Sequence, residues 1–319
     1  MKRRRRVKDL LRAGTIMLTD MEELFLVLIL AVALVLHAPA SAGAAFEARA
    51  AVPETVLQRI LKTGTVRIGY AAEAPYAIPV PGGGVTGEGP EVARKVFALM
   101  GVHTVVAIES EFGMLIHDLK AGRFDLFATG MYILPDRCRQ IAFSEPTYKA
   151  VNQLGQGLAV PAGNPRNLHA YGDVALDRSI RLGVVAGTIE HRFASKAGVS
   201  DEQIVLFPSA VMAARSLRAG RIDAYAATAK AVEALVERYP RRLERAKPFD
   251  SRITSTGIEQ IHYGASGFRI QDADLLAAFN KHLLEFRGTP EHLALVARFG
   301  VTKDELPDRT TAEICRRPG

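Results

Sequence analysis

The apolar positions along the chain fall into two alternating patterns, short runs typical of buried strands and faces at helical spacing. The run TVRIGY at residues 65–70 predicts a strand, and Val92 and Val96 recur at the spacing of a helix that Gly101 ends. A further strand follows directly at residues 104–108. Strands that alternate with helices across short turns predict an α/β fold with a parallel sheet.

The same pattern occurs twice. The segment MLIHDLKAGRFDLFAT at 114–129 matches MAARSLRAGRIDAYAA at 212–227, with a helix, a glycine turn and a buried strand in each. A second match joins TVRIGY at 65–70 to SIRLGV at 179–184. The chain therefore contains two similar α/β units. Since ligands bind beyond the carboxyl ends of strands in such sheets, two facing units predict a ligand site in the cleft between them.

Extended segments join the two units. The chain leaves the first unit over residues 151–160 and returns to it over 258–268, and we interpret both segments as hinges. The helices predicted at 274–286 and 289–299 have apolar faces and are expected to pack on the first unit. We therefore divide the chain into lobe 1, residues 56–153 and 259–319, and lobe 2, residues 154–258.

The N-terminus has the features of a signal peptide. Residues 2–8 form the basic cluster KRRRRVK, residues 24–36 form an apolar run of 13 residues, and small residues follow between positions 38 and 42. Because a helix needs about 20 apolar residues to span a bilayer, this run favours export and cleavage over a permanent anchor. We expect a signal peptide over 1–42, a flexible alanine-rich segment over 43–55, and a mature protein that is free in the periplasm.

Composition and charge indicate a globular protein and argue against one that binds nucleic acid. The chain has 319 residues, of which 48% are hydrophobic and 24% charged, so it is long enough for two globular domains. Its formal net charge of +7 includes residues 1–42, which hold seven basic and four acidic residues. The remaining 34 basic and 30 acidic residues leave a dispersed charge of +4, from which we expect no nucleic-acid partner.

The stretch at 124–146, FDLFATGMYILPDRCRQIAFSEP, predicts a corner that binds an anion. A buried strand breaks at Thr129 and Gly130, and Arg137 follows in a helix-like turn. Free backbone N–H groups beside a guanidinium suit a carboxylate. Thr188, at the start of a helix in the second unit, adds a hydroxyl and an N–H group for the same anion. The alternatives are a solvated arginine and, for Thr188, a helix N-cap, which does not exclude contact with a ligand.

Carboxylates and aromatic residues at other strand ends complete the predicted site. Glu73 follows the first strand and Asp223 follows the repeated glycine turn, so both are candidates for a cationic group, with Glu190 as a substitute. We interpret Asp125, the equivalent of Asp223, as structural. The aromatic residues at the strand ends are Tyr76, Phe112 and Tyr132. Their ring faces attract a delocalised cation by about 0.5 to 2 kcal/mol each, although a single aromatic residue in a loop usually packs in a core or hinge.

The chain has two cysteines, Cys138 and Cys315. In an oxidising compartment an even pair favours a disulfide, although sequence alone does not show that the thiols are close. Closing so long a loop contributes about 4 to 5 kcal/mol on a chain-entropy argument. The eight histidines show no metal-binding spacing and no serine nucleophile motif occurs, so we expect no metal, cofactor or catalytic residue. A general acid–base site built from Glu73, Asp223 and the aromatic residues is the competing class.

These motifs are similar to those of a known family. The segment FDLFATGMYILPDR with IAFSEP, GTIE at 187–190 and AGRIDAY at 219–225 resemble the periplasmic solute-binding proteins of ABC transporters for polar amino acids, the family 3 type, over residues 56–299. The resemblance implies a two-lobed α/β fold of type II with a ligand cleft between the lobes, and a monomer that delivers a small zwitterion to a membrane permease. It also implies that Arg137 holds the ligand's carboxylate, with Thr188 in support and Asp223 on the amino group.

Other residues resemble the ectoine- and hydroxyectoine-binding branch of that family. These are Tyr132 after Gly-Met, Cys138 directly after the arginine, and the terminal TTAEIC. Ile189 departs from that branch, which has an acidic residue at this position. The resemblance implies a carboxylate on Arg137 and a flat amidinium ring among the aromatic residues, with its N–H groups on Glu73. A polar amino acid is the alternative ligand, and the alternative class is an enzyme similar to the periplasmic cyclohexadienyl dehydratases.

Overall fold

The computed structural model describes residues 53–150, 155–250 and 261–316, and the described residues from Glu54 onward form one compact unit. The predicted signal peptide over 1–42, most of the segment over 43–55 and parts of both predicted hinges lie outside the described residues. No helix within the described ranges is long and apolar enough to cross a bilayer.

Strands and helices alternate along the described residues. The strands in chain order are β1 Thr65–Tyr70, β2 Ile78–Val80, β3 Gly84–Thr86, β4 Thr104–Glu109, β5 Leu126–Tyr132, β6 Ala142–Phe143, β7 Tyr148–Ala150, β8 Gln156–Pro161, β9 Leu182–Val185, β10 Ile204–Phe207, β11 Ala224–Thr228, β12 Leu243–Arg245 and β13 His262–Phe268. The helices are α1 Val56–Thr63, α2 Glu88–Leu99, α3 Leu115–Lys120, α4 Pro135–Cys138, α5 Tyr171–Leu176, α6 Ile189–Lys196, α7 Ala210–Arg218, α8 Ala229–Arg238, α9 Ala273–Phe286, α10 Pro290–Ala297 and α11 Thr311–Cys315.

The longer strands form two mixed sheets. In the first sheet β4, β1 and β5 run parallel, and β13 continues the order antiparallel to β5 and pairs with β6 and β7. In the second sheet β10, β9 and β11 run parallel, β8 lies antiparallel to β11, and β12 lies antiparallel to β8. The prediction of parallel α/β units is right for the two blocks of three strands and wrong for β8 and β13.

The direction of β8 and β13 follows from where the chain enters each sheet. The first residue of β8, Gln156, pairs with Thr228 at the carboxyl end of β11, and Gly264 near the start of β13 pairs with Tyr132 at the carboxyl end of β5. Both strands begin soon after the chain has crossed from the other sheet. A strand that enters at the carboxyl ends of its neighbours has to run antiparallel to them.

The internal repeat places one aspartate at the same point of each sheet. The backbone N–H of Arg67 donates to the Asp125 carboxylate at 2.9 Å, and the backbone N–H of Arg181 donates to the Asp223 carboxylate at 2.8 Å. In return, the N–H of each aspartate donates to the carbonyl of the same arginine at 2.9 Å. Both aspartates therefore fasten the amino end of their strand, β5 or β11, to the strand beside it.

The C-terminal helices pack on the first sheet's helical layer. Helix α2 contacts β5, and α9 and α10 both contact α2. The ring centroids of Phe97 and Phe279 lie 5.5 Å apart, and those of Phe279 and Phe268 lie 5.2 Å apart. The prediction that the final helices return to the first unit is confirmed.

A disulfide joins Cys138 of α4 to Cys315 of α11, so the predicted pairing is confirmed. The Thr311 hydroxyl donates to the Ser144 carbonyl at 2.6 Å, and Ile314 is buried beside the disulfide. The C-terminal helix is thereby held against the corner that carries Arg137.

Candidate ligand-binding site

The corner after β5 turns the chain back across the end of the strand. Pro135 occupies the start of α4, and two residues later the Arg137 guanidinium donates to the Tyr132 carbonyl at 2.8 Å and to the Gly187 carbonyl at 2.9 Å. Arg137 is 7% exposed, and its burial lowers its pKa to about 10, so it is still a cation at neutral pH. Because the hydrogen-bond partners it has are neutral carbonyls, a carboxylate would be a stronger partner for this guanidinium.

Gly130 allows an aromatic ring to lie directly on the end of β5. Its φ is +70°, and a Cβ at this position would lie 2.8 Å from the Tyr76 ring. The Tyr148 hydroxyl donates to the Gly130 carbonyl at 2.9 Å, and the Tyr76 and Tyr148 rings stack with centroids 5.6 Å apart. A side chain at residue 130 would displace this stack.

Three aromatic residues line the same cavity as the guanidinium. The guanidinium carbon of Arg137 lies 5.6 Å from the centroid of the Phe112 ring. Tyr132 stacks on His262 with centroids 5.2 Å apart and planes 8° from parallel. Burial raises the pKa of both Tyr76 and Tyr132, so their hydroxyls are neutral. Their ring faces offer an apolar but electron-rich surface for a flat cation.

Two carboxyl groups face the same space. Glu190 is 4% exposed in the first turn of α6, and Glu73 is half-buried in the loop after β1. Burial raises the pKa of Glu190, although hydrogen bonds from its own N–H and from Gln156 and the charge of Arg137 oppose the rise. Burial and the neighbouring Glu190 carboxylate raise the pKa of Glu73 to about 8. A cationic group placed between the two would favour the ionised form of both.

These side chains enclose a cavity of about 30 Å³ between the two sheets. It is lined by Glu73, Tyr76, Phe112, Gly130, Tyr132, Arg137, Thr188, Ile189, Glu190 and Thr228. The first six precede the crossing to the second sheet and the last four follow it. Because so small a volume holds little more than water, a solute would enter only if the two walls moved apart.

The two walls also touch beside the cavity. Gly187 has a φ of +80°, and a Cβ there would lie 2.8 Å from the Gly113 Cα. Asp136 and Arg192 form an ion pair at 2.8 Å. Partial burial would raise the pKa of Asp136, but Arg192 holds it below its ordinary value. A backbone contact and an ion pair therefore join the two walls.

Six of the eight predicted ligand residues line the cavity. They are Glu73, Tyr76, Phe112, Tyr132, Arg137 and Thr188. Thr188 also occupies the N-cap position of α6, as the alternative interpretation predicted, and its hydroxyl donates to the Val185 carbonyl at 2.8 Å. The structure places Thr129 and Asp223 elsewhere.

Thr129 supports the site from beneath. It is 2% exposed, and its hydroxyl accepts from the Ala71 N–H at 3.2 Å and donates to the Ala71 carbonyl at 2.9 Å. The predicted ligand contact is therefore corrected: Thr129 holds the residue that follows β1 and so positions the loop that carries Glu73.

Asp223 lies at the wrong end of its strand for a ligand residue. Thr228, the last residue of β11, lines the cavity, and Asp223 precedes the strand's first residue, so about 16 Å separates it from that end. Its carboxylate accepts from the Arg181 N–H at 2.8 Å and lies 3.5 Å from the Arg166 guanidinium. The predicted role on a ligand's cationic group is corrected: Asp223 is the structural equivalent of Asp125.

Four lining residues go beyond the predicted set: Gly130, Ile189, Thr228 and Glu190, the last expected only as a substitute. Gly130 and Thr228 are equivalent in the repeat, one residue past the matched segments 114–129 and 212–227. Following the repeat to the carboxyl end of each strand therefore identifies both. In the described part of the chain, no three His, Cys, Asp or Glu side chains are grouped so as to hold a metal ion.

The amino-acid sequence is similar to those of known proteins. The profile of the bacterial extracellular solute-binding proteins, family 3, matches residues 66–302. The probable amino-acid ABC transporter periplasmic-binding protein y4tE of Sinorhizobium fredii is 35% identical over 264 residues, which cover 81% of this chain and 85% of that protein. The lysine/arginine/ornithine-binding periplasmic protein of Escherichia coli is 27% identical over 240 residues, which cover 72% and 86%.

A solved structure is also similar. The crystal structure of EhuB in complex with hydroxyectoine superposes with a TM-score of 0.74 at 28% sequence identity, covering 83% of this chain and 99% of that chain.

The structure has two mixed sheets with helices packed on them, and a buried cavity lies where the strand ends of one sheet face those of the other. These features define a two-lobed solute-binding protein of type II. The chain belongs to the bacterial extracellular solute-binding proteins, family 3, which confirms the predicted family and fold. It is the solute-binding subunit of an ABC importer of the amino-acid type. Such periplasmic proteins bind small ligands and interact with a membrane permease, and they are in the main binding proteins and not enzymes.

Proposed function

We propose that this protein binds ectoine, hydroxyectoine or a related zwitterionic compatible solute and delivers it to the permease. The observation that carries the proposal is one cavity in which the Arg137 guanidinium and the carboxyl groups of Glu73 and Glu190 are surrounded by aromatic rings. The similarity to EhuB, whose structure contains hydroxyectoine, supports the same class of ligand.

Each part of such a ligand has a partner in the cavity. Its carboxylate takes the Arg137 guanidinium in place of the carbonyl partners, because a charged acceptor forms the stronger hydrogen bond. Thr188 and the N–H groups at the start of α6 face the same anion from the other wall. Its flat cationic ring lies among Tyr76, Phe112 and Tyr132, and its N–H groups donate to Glu73.

The ligand enters when two lobes separate by hinge motion. We assign lobe 1 to residues 56–153 and 259–319 and lobe 2 to residues 154–258. The two sheets fall into these two parts, and the cavity lies between them, which supports the assignment. Because a single chain supplies every lining residue of the cavity, we propose that the protein acts as a monomer.

Isothermal titration of the protein lacking residues 1–42 tests the ligand. We expect one saturable site for ectoine and for hydroxyectoine, and much weaker binding of glycine betaine, which has a carboxylate and a cation but no N–H group for Glu73. Strong binding of a polar amino acid with no heat from either ectoine would contradict the proposal.

An amino acid with a basic side chain is the second candidate, and Glu190 favours it. A second carboxylate beside Glu73 offers a partner for a second cationic group. Relatives of this chain include an amino-acid-binding protein and a lysine/arginine/ornithine-binding protein. Titration with L-arginine and L-lysine beside ectoine, under the same conditions, ranks the two candidates by their Kd values.

Periplasmic location after cleavage near residue 42 is also a proposal, supported by the periplasmic relatives. Expression of the full chain in a Gram-negative host, followed by intact-mass measurement of the periplasmic fraction, tests it. We expect the mass of a chain that begins close to residue 43. Recovery of the uncleaved chain in the membrane fraction would contradict it.

A further inference from the structure

We propose that Glu190 sets the charge class of the ligand: with Glu73 and Arg137 it gives the cavity two carboxyl groups against one guanidinium, so that a net-neutral ligand is bound with one carboxyl group protonated and a monocationic ligand is bound with both ionised. This inference rests on the proposed function, since it takes the bound solute to carry a carboxylate.

The charge of the cavity follows from its lining. Among the ten lining residues, Glu73 and Glu190 are acidic and Arg137 is basic. The other ionisable side chains of the lining are the tyrosines, which burial keeps neutral. The nearby ion pair of Asp136 and Arg192 lies at the rim, with side chains 44% and 40% exposed, and adds no net charge.

The groups that face Glu73 come from every element packed around it. They are Tyr76 from its own loop, Tyr132 of β5, Arg137 of α4, Tyr148 of β7, Glu190 of α6 and Tyr225 of β11. The charge of Glu88 in α2 acts on Tyr76 and Tyr148, and Glu73 does not feel it directly. Within the described residues, Glu190 is therefore the anion that opposes ionisation of Glu73 most directly.

Because the cavity is buried, each ionised group in it needs a partner of opposite charge. Arg137 is 7% and Glu190 is 4% exposed, and an ion without a partner in such a space costs far more than one hydrogen bond returns. A net-neutral ligand gives its carboxylate to Arg137 and its cation to one glutamate, which leaves the other glutamate unpaired and favours its protonation. A ligand with two cationic groups pairs with both glutamates as carboxylates.

Before a ligand binds, Glu73 is the group that holds the proton. Its pKa of about 8 means that it is mostly protonated at pH 7 and mostly ionised at pH 9 before the ligand binds. A net-neutral ligand therefore takes up about one proton at pH 9, and its affinity falls about fivefold between pH 8 and pH 9. A monocationic ligand releases about one proton at pH 7, and its affinity rises by about fivefold between pH 7 and pH 8.

The experiment is isothermal titration at pH 7 and pH 9 in buffers of different ionisation enthalpy, which reports the number of protons exchanged. The probes are two net-neutral ligands, ectoine and L-glutamine, and two monocations, L-arginine and L-lysine. We expect proton uptake with ectoine at pH 9, where the amino group of L-glutamine itself titrates, and we expect little proton exchange with either neutral ligand and proton release with the monocations at pH 7.

Glu190→Gln makes the cavity neutral and tests the residue itself. We expect the variant to bind ectoine without proton uptake at pH 9, and to bind L-arginine at least about tenfold more weakly than the parent protein. Glu88→Gln is the matched control, because Glu88 is also a buried glutamate with a raised pKa but lies outside the cavity lining. We expect it to keep the parent's proton exchange.

Two outcomes overturn the inference in distinguishable ways. Tight binding of the neutral ligands with pH-independent affinity and no proton exchange in the parent protein overturns the charge rule and leaves the proposed function in place. The same conclusion follows if Glu190→Gln keeps the parent's proton exchange. Failure of all four probes to bind folded protein at either pH overturns the proposed function and the charge rule together.

Discussion

At the residue scale, Arg137 is a buried cation held by one carbonyl oxygen from each wall of the cavity. Neither carbonyl carries a charge, so the guanidinium retains a strong attraction for an anion. Its planar fork of donors also matches a carboxylate in shape, which a lysine ammonium does not. One side chain is therefore expected to dominate the affinity for any ligand that carries a carboxylate.

Replacing Arg137 with alanine is expected to weaken ligand binding at least about a hundredfold, because the ligand carboxylate then has no charged partner in a buried site. Arg137→Lys keeps the charge but not the fork and is expected to fall between alanine and the parent. Isothermal titration measures both. The control is Arg139→Ala, an exposed arginine at the end of the same short helix, which is expected to bind as the parent does. Parent-like affinity in Arg137→Ala would remove Arg137 from the site.

The equivalent aspartates Asp125 and Asp223 are expected to affect stability and leave binding unchanged. The Asp125 side chain is fully buried and pairs with Arg59 at 2.6 Å and Arg67 at 2.7 Å, so Asp125→Asn is expected to cost about 3 kcal/mol. The Asp223 side chain is 21% exposed and lies 3.5 Å from Arg166, so Asp223→Asn is expected to cost about 1 kcal/mol. Urea unfolding measures both costs. A large loss of ligand affinity in Asp223→Asn would restore its ligand role.

At the element scale, helix α2 presses its first turn against β5 and buries a carboxyl group there. A Cβ on Gly89 would lie 2.9 Å from the Ala128 backbone, so only glycine allows this approach. Glu88 beside it is 1% exposed. Burial raises its pKa to about 7, although Thr147 opposes the rise. The close packing of α2 on β5 therefore makes ionisation of Glu88 unfavourable.

Stability should fall as Glu88 ionises. Its pKa is about 7 in the folded protein and 4.5 for a solvated glutamate in an unfolded chain, so the folded state binds the proton more tightly. The contribution of Glu88 to the free energy of unfolding is full below about pH 4.5 and decreases as pH rises to about 7, by about 3 kcal/mol in total. Glu88→Gln is expected to match the parent at pH 4 and to exceed it at pH 8 in urea unfolding. Equal pH dependence in the two proteins would contradict this.

At the scale of the whole molecule, contacts between residues distant in sequence bring the two walls together. Arg137 reaches Gly187, Asp136 pairs with Arg192, and the Phe193 ring lies 5.5 Å from the His262 ring. These contacts join the two walls, so binding and the spacing of the two lobes are expected to change together. The disulfide holds the C-terminal helix to the same corner.

Removing the disulfide is expected to lower the free energy of unfolding by about 4 to 5 kcal/mol, because Cys138 and Cys315 are 177 residues apart and the bond restricts the unfolded chain over that length. The double variant Cys138→Ser with Cys315→Ser is compared with the parent by urea unfolding. The parent unfolded in the presence of a reductant is the control and is expected to match the variant. An unchanged urea midpoint in the variant would contradict the expected stabilisation.

Much of the site was open to prediction because its residues follow strand ends in a repeated pattern. Glu73, Tyr76 and Arg137 each lie just past an apolar run, and position relative to a strand end is a local property of the sequence. For Asp223 the two patterns disagree: the family resemblance predicts a ligand role, which is wrong, and the repeat with the structural Asp125 predicts its position correctly. The sequence does not show the role of Glu190, because Glu190 acts on the carboxyl group of Glu73, which is 117 residues away in the chain.

Spacing and residue type along the chain are enough to predict the alternation of helices and strands, the internal repeat, the corner at Arg137 and the family. The folded structure is needed to show which end of β11 faces the cavity, that β8 and β13 run antiparallel to their neighbours, and which charges meet around Arg137. The physical reason is that periodicity reports the burial of each element, whereas electrostatic coupling depends on distances between side chains that only packing brings together.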